Sequence, residues 1–338
     1  MKLTGKIESV LELWAFDQVY IKKEGLLSIH KGELVEIIKG NIASFSYFND
    51  YLIYLMNDHH GKLFCKFSNG ETKILVDDSD VEFYNLSNLL IDSKLPVYYS
   101  EKEGFLPIGM YLINSQLNVE QLEQVHSYAI KSENHYFRNT PKQIHAYNLD
   151  HQNEYILNIS DYGRNIKKAR DSGKILSDEP NEIDGNLFCY EGLLYVPLAG
   201  GQLLALNAES GKEIWMLEHE VSGAYQIIDS KIYKKDIKQI FEIDALTGEV
   251  LKHKELRKDP QTKEFSAAGP LWVYKDIIIA TDVLKGEICL LERSSLSVIE
   301  FFTINKKLPF NNNAIAWYEN ELYVLDLENT LHIFKKEI

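Results

Sequence analysis

Six times along this 338-residue chain a large apolar residue stands five positions ahead of a hydrophobic strand, with a short polar turn between them. The six are Trp14, Tyr47, Phe188, Ile227, Trp272 and Trp317, and the turns carry Asp17, Asn49-Asp50, Glu191-Gly192, Asp229-Ser230, Lys275-Asp276 and Glu319-Asn320. Most of these are residue types that favour tight reversals. A bulky position recurring at a period of about 40 residues constrains the fold more than composition does, because it marks one supersecondary unit used repeatedly.

The unit is clearest between Asn186 and Leu217. "NLFCYEG" and "LLYVPLAG" are short apolar runs joined through Glu191-Gly192, and "QLLALNA" follows after Gly200-Gly201, a hairpin signal. "AESGKE" then turns the chain again, placing Gly211 where a left-handed conformation is cheap, and "EIWML" is a fourth strand. Four antiparallel strands in so short a span make a small twisted sheet with both faces apolar, which is not stable alone and needs copies on either side. The copies are present: 10–40, 44–76, 224–256, 264–304 and 314–336 repeat the order of strands and turns. Such a series predicts an all-β protein, a single β-propeller of four-stranded antiparallel blades spanning 1–338. The third strands "LLSIH", "LFCKF", "IHAYNLD", "LLALNA", "IFEIDA", "ICLLE" and "LHIF" make seven blades. "FLPIGMYLI" at 105–113, with no evident partner strand, restores even spacing and makes eight the favoured count. The last unit lacks a fourth strand, so "KLTGKIES" at the N-terminus is expected to complete it and close the ring.

"GGQLLALNAESGKEIWMLE" and "FEIDALTGEVL" resemble the repeat of the pyrroloquinoline-quinone-type propellers, which reads glycine, apolar pair, Ala-Leu-Asp, Thr-Gly, Lys-Glu, apolar, Trp. The resemblance is specific in these two repeats and implies a fold. In that family the repeat serves enzymes, assembly factors and binding proteins alike, so it assigns no activity. Its quinone-dependent enzymes are, as the resemblance implies, exported, longer, and equipped with adjacent cysteines and calcium-binding carboxylates. Its envelope assembly factors carry a secretion signal. Neither set of features is found here.

A formal charge of −14 argues against nucleic-acid binding, which rests on neutralising phosphates, and suits a basic protein partner. No apolar stretch has the length of a signal-peptide core or membrane span. Cys65, Cys189 and Cys289 are scattered, without CxxC spacing, and read as small core residues in a reducing compartment. The expected location is the cytoplasm, away from membranes.

Two segments depart from the repeat. In 114–130, "NVEQLEQV" has Val119, Leu122 and Val125 at helical spacing, which predicts two helical turns. The segment 161–184 has no strand pattern and reads as a long inter-blade loop, with Arg164, Lys167, Lys168 and Arg170 forming a basic cluster in an acidic chain. By chain order it belongs to the face carrying the tips 22–25, 57–61, 199–201 and 282–286, and its four cations are the candidate partner-binding residues. Asp58-His59-His60 and the acidic run 77–82 lack the remaining ligands of a zinc or calcium site. No nucleophile elbow, P-loop or dinucleotide fingerprint occurs. The expectation is therefore a non-catalytic protein-binding propeller without cofactor, one form of which is an immunity-type inhibitor of a basic toxin. A carbohydrate-active propeller, with carboxylates converging at the channel mouth, and a relative of the quinone-dependent dehydrogenases are the alternatives.

Overall fold

The computed structural model of the chain describes every residue except 16–17, 24, 31–32, 58, 60, 87–94, 102–108, 124–129, 133, 149–151, 169–174, 186, 218–224, 236–237, 263, 268, 311–313 and 336–338. Among the described residues the regular structure is strand, apart from two single 3-10 turns at Ile159–Asp161 and Leu256–Lys258. The strands form eight four-stranded antiparallel sheets and one two-stranded ribbon. The first sheet holds Glu12–Ala15, Val19–Lys22, Leu26–His30 and Glu33–Ile38, and the second Ile42–Phe48, Tyr51–Met56, Lys62–Lys66 and Thr72–Asp77. The third is Val81–Leu86, Leu95–Glu101, Gly109–Ile113 and Val119–Glu123, and the fourth Ile130–Lys131, His135–Asn139, Gln143–Asn148 and Asn153–Asn158. The fifth is Phe188–Tyr190, Leu193–Pro197, Leu203–Asn207 and Glu213–Leu217, and the sixth Tyr225–Ile228, Lys231–Lys235, Gln239–Asp244 and Val250–Glu255. The seventh is Leu271–Val273, Ile277–Asp282, Glu287–Glu292 and Val298–Thr303. The eighth takes Ile315–Tyr318, Glu321–Leu325 and Leu331–Lys335 from the C-terminus and Lys2–Ile7 from the N-terminus, which pairs with Leu331–Lys335.

Three expectations are corrected. Residues 119–123 are not helical. Val119–Glu123 is the fourth strand of the third sheet, paired with Gly109–Ile113 from Val119↔Ile113 to Glu123↔Gly109. Over so short a run the helical spacing of Val119 and Leu122 does not discriminate, and pairing with an existing edge overrides it. The local signal is Asn114, whose side chain accepts from the amides of Gln116 and Asn118 and turns the chain between the two strands. Gly109–Ile113, for which no partner was evident, is paired on both sides, by Leu95–Glu101 and Val119–Glu123. The segment 161–184 is likewise not a structureless loop: Arg164–Lys168 and Ile175–Pro180 pair as the two-stranded ribbon.

Among the described residues, seven seams of interleaved side chains join neighbouring sheets face to face, at every junction but that of the third sheet with the fourth. Leu13 and Ile21 meet Ala316 and Tyr323, joining the eighth sheet to the first. Tyr20 and Leu26 meet Phe45 and Tyr54, and Leu63 and Cys65 meet Val97 and Tyr111. Phe137 and Ile144 meet Leu194 and Leu204. Tyr195 and Trp215 meet Ile232 and Phe241. Tyr233 and Ile240 meet Ile278 and Cys289, and Ile279 and Ile288 meet Ile315 and Leu322. Strand alternation feeds both seams of a sheet at once, so that Ile232 enters one and Tyr233 the next. The recurring bulky residues of the first strands pack here as expected: Trp14 and Tyr47 between the first and second sheets, Phe188 and Ile227 between the fifth and sixth, Trp272 and Trp317 between the seventh and eighth.

Turn chemistry sets the register. Four of the turns between first and second strands have both central residues at positive φ: Asn49-Asp50, Glu191-Gly192, Asp229-Ser230 and Glu319-Asn320. This is the two-residue geometry that matches strand twist. Between third and fourth strands, Asn207 accepts from the amides of Glu209 and Ser210, and Asp244 from those of Leu246 and Thr247. Gly211 and Gly248 then take φ of +66° and +73°. Gly248 lies flat on the indole of Trp215 in the preceding sheet, where an added Cβ would stand 2.6 Å from a ring carbon. The paired Gly and Trp of the two recognisable repeats are thus one contact seen from either side of a seam.

Gly248→Ala is expected to cost about 2–4 kcal/mol, combining a left-handed backbone with overpacking against Trp215, as read from chemical denaturation. Deleting residues 1–8 removes a whole strand from the eighth sheet. It should lower the melting temperature by on the order of 5–10 °C, and an unchanged melting curve would mean that Lys2–Ile7 contributes nothing to that sheet.

Candidate functional site

Turns between second and third strands pack against the connections between sheets at Gly61 and Gly286. Gly61 accepts from the amide of Asp78, and Gly286 from that of Ile304. At Gly61 and Gly286 an added Cβ would fall 1.8 and 1.9 Å from the carbonyl oxygens of Asp78 and Lys306, so only glycine permits the approach. These turns and connections together make one face of the protein.

The ribbon stands on that face. Below it, Ile183 donates to the Pro141 carbonyl at 2.7 Å and Ala199 donates to that of Glu182 at 2.8 Å. Asn181, 1% exposed, donates to Gln202 Oε1 at 2.7 Å and to the Tyr162 carbonyl at 3.2 Å, and accepts from Gly200 N at 3.0 Å. The base is therefore bolted to the second-to-third turns of both flanking sheets, and the tip 199–201 is its direct neighbour. Between ribbon and fourth sheet lies a groove of about 970 Å³, whose walls include Thr140, Lys142, Asn158, Ser160 and Glu179.

The proposed cations divide. Arg164, about half exposed, donates through Nε to Asp178 Oδ1 at 2.8 Å and through Nη2 to the Asp178 carbonyl at 2.9 Å, so it is partly committed to its own ribbon. Lys167 and Lys168 sit on the same strand, opposite Ser177 and Ile175. Arg170 lies outside the described residues, as does Lys174. Basic spacing alone does not point to the apolar residues beside them: Ile166, Ile175 and Leu176 are 38%, 54% and 67% exposed. A second exposed apolar group occurs on the same face. Leu284, Phe310 and Leu327 surround the segment Lys307-Leu308, whose backbone bonds to Val283 and Leu327. Asp326 shapes that corner: its Oδ1 accepts from the amides of Glu328 and Thr330, and its Oδ2 lies 2.8 Å from His332 Nε2.

Two histidines are held within their own sheets. His135 meets Glu154 at 2.6 Å and His253 meets Gln239 at 2.7 Å. His59 is exposed and packs on Phe64, while Asp58 and His60 lie outside the described residues. Among the described residues no group of three or more His, Cys, Asp or Glu is arranged to hold a metal ion. The three cysteines are free, and burial pushes their thiols up, to about 11 at Cys65 and about 12 at Cys189 and Cys289. That removes the thiolate on which reactivity depends. Among the described residues no helix is long and apolar enough to cross a membrane.

No family model and no curated protein matches the chain. Solved structures do. BamB from Moraxella catarrhalis, a PQQ-like β-propeller, aligns at a TM-score of 0.54 and 13% identity over 99% of each chain. Sqt1 from Saccharomyces cerevisiae, a WD-repeat propeller, aligns at 0.53 and 14% over 100% of this chain and 97% of that one. The computationally designed Ika8 protein aligns at 0.54 and 12% over 99% and 98%. The fold is a β-propeller.

At Asp326, burial pushes the carboxyl up, but the donors from His332, Thr330 and Glu328 outweigh it and hold the group below the usual carboxylate range. A depressed folded value stabilises above the unfolded value of about 3.9 and is lost as pH falls through the folded one. The stability difference between the parent and Asp326→Asn should thus be full at neutral pH and shrink below about pH 4, as followed by urea titrations across that range. A gap independent of pH would show that the carboxylate charge is not what Asp326 contributes.

Proposed function

We propose that the chain is a non-catalytic, cytoplasmic protein-binding propeller whose eight sheets are eight blades, closed into one ring by the N-terminal strand and built on repeats of the pyrroloquinoline-quinone type. Support for the ring comes from the pairing of Lys2–Ile7 with Leu331–Lys335 and from the seam between the eighth sheet and the first. Gly248 lying on Trp215 supports the repeat type. The partner docks on the face carrying the ribbon, with Arg164, Lys167, Lys168 and Arg170 as its polar contacts.

One observation carries the docking site. A two-stranded ribbon is marginal in water by itself, yet this one is anchored at its base to both neighbouring blades and holds Ile166, Ile175 and Leu176 out into solvent. Exposed apolar side chains grouped on a rigid support and rimmed by charge mark an interaction surface. The acidic balance of the rest of the chain, −14 overall, speeds encounter with a basic protein, and the ribbon's cations then meet acidic groups on that protein at close range. An immunity-type inhibitor that occludes a basic toxin is one function of this form.

A partner captured from the native host should bind the Arg164→Ala, Lys167→Ala, Lys168→Ala, Arg170→Ala quadruple variant more weakly by about 1–3 kcal/mol. The loss should fall mainly on association rate and grow at low salt. Leu176→Asp should weaken binding through faster dissociation. Equal affinities for parent and both variants at low salt would remove the ribbon from the interface.

A further inference from the structure

The opposite face holds a different kind of site. Strands run antiparallel, so the turns joining first to second and third to fourth strands lie at the end away from the ribbon. There, between the sixth and seventh sheets, is a cavity of about 270 Å³, several times the roughly 30 Å³ of a water molecule in the liquid.

Its floor is a buried carboxylate. Glu242, 1% exposed, accepts from Lys231 Nζ at 2.9 Å on one oxygen, from the Tyr233 hydroxyl at 3.0 Å on the other, and from Lys252 Nζ on both, at 3.1 and 3.3 Å. Burial pushes the Glu242 carboxyl up, but those three donors outweigh it and hold it below the usual carboxylate range. One negative charge therefore holds two ammoniums side by side at the floor.

The far wall is pinned by Arg293, itself buried. It donates through Nε to the Tyr233 hydroxyl at 2.8 Å, through Nη2 to Asp229 Oδ2 at 2.8 Å, and through Nη1 to the Lys275 carbonyl at 3.1 Å. Asp229 balances its charge, and the bond to the Lys275 carbonyl fixes the turn that brings Lys275 to the cavity. Lys275, an exposed residue of that turn, is part of the cavity lining, and its side chain makes no hydrogen bond or ion pair among the described residues. Asp276 and Glu292 are at the rim, exposed to solvent, and the Glu292 carboxylate is engaged by the Ser295 hydroxyl at 2.5 Å.

We propose that this cavity is an oxyanion site, in which a phosphate or carboxylate group is held between the ammoniums of Lys231, Lys252 and Lys275. Each ammonium has three donors, and Lys231 directs one of them at Glu242. The spare donors of three lysines lining one cavity can supply charge-assisted bonds to a compact anion. A carboxylate beneath them keeps the two half-buried ammoniums of Lys231 and Lys252 in place when no ligand is bound, so the site is preformed. Arg293 is a positioning residue here, acting through the turn that carries Lys275.

Calorimetric titration with inorganic phosphate, against sodium chloride at matched ionic strength, tests this. Phosphate should bind the parent saturably. Lys275→Ala should weaken that binding by about tenfold or more, the size of a lost charge-assisted bond, without changing the melting temperature of the ligand-free protein. Lys142→Ala, on the opposite face, should bind as the parent does. Glu242→Gln, if it folds, should bind phosphate more tightly, because the competing charge is gone. A phosphoserine tripeptide distinguishes the sources: tighter binding than phosphate assigns the group to a protein partner, and weaker or equal binding to a free anion. The site is overturned if neither probe binds beyond the chloride control, if Lys275→Ala binds as the parent does, or if Lys142→Ala weakens binding as much as Lys275→Ala.

Discussion

A sheet whose two faces are both apolar has nowhere to expose either of them, and this one constraint organises the molecule. In the sixth sheet, Ile232 and Ile243 enter one seam while Tyr233 and Ile240 enter the next. Removing either neighbour would expose a full face to water at about 25 cal/mol for each Å². The same requirement explains the pairing of the N-terminal strand with the C-terminal sheet. The eighth sheet meets the seventh through Leu322 and Phe334, and the first through Tyr323 and Leu331. The seam between the eighth sheet and the first covers a face that each would otherwise leave bare.

Seams as tight as these leave little freedom for chemistry between the strands. Two buried polar side chains are satisfied by nearby groups: Asp326 by His332 and two turn amides, Asn181 by three partners beneath the ribbon. Variation is accommodated at the strand ends, and the two ends differ in character. At one, glycine-lined contacts such as Gly61 against Asp78 and Gly286 against Lys306 hold turns and connections together, and the ribbon and the exposed Leu284, Phe310 and Leu327 rise from that platform. At the other, short left-handed turns sit low, and a charged cavity opens between two blades.

Charge is distributed in the same divided way. The chain is acidic as a whole, which sets its long-range field, but field and contact are separate quantities beyond a Debye length of about 8–10 Å. The ribbon strand carries Arg164, Lys167 and Lys168 in its sequence, and the cavity brings three lysines and Arg293 together with Glu242, Asp276 and Glu292. A net-charge argument therefore speaks to which partners approach and not to which groups they touch.

The sequence by itself determined the repeat. Trp14, Tyr47, Phe188, Ile227, Trp272 and Trp317, with their turns, stand at a register that only stacked sheets require, and Asn207, Gly211 and Trp215 report local turn geometry and packing that neighbouring residues encode. Where that local code thins, the reading failed: Val119 and Leu122 fit a helix and a strand equally over five residues, and the strand won because Gly109–Ile113 offered an edge to pair with. The ribbon was missed for a related reason, since Ile166, Ile175 and Leu176 do not alternate as a half-buried strand does when no sheet covers them. Only the tertiary structure decided the cavity. Lys231, Glu242 and Lys252 come from three strands of one blade, while Lys275 and Arg293 belong to the next, and no spacing along the chain records a meeting that exists only because two apolar faces had to be buried against each other.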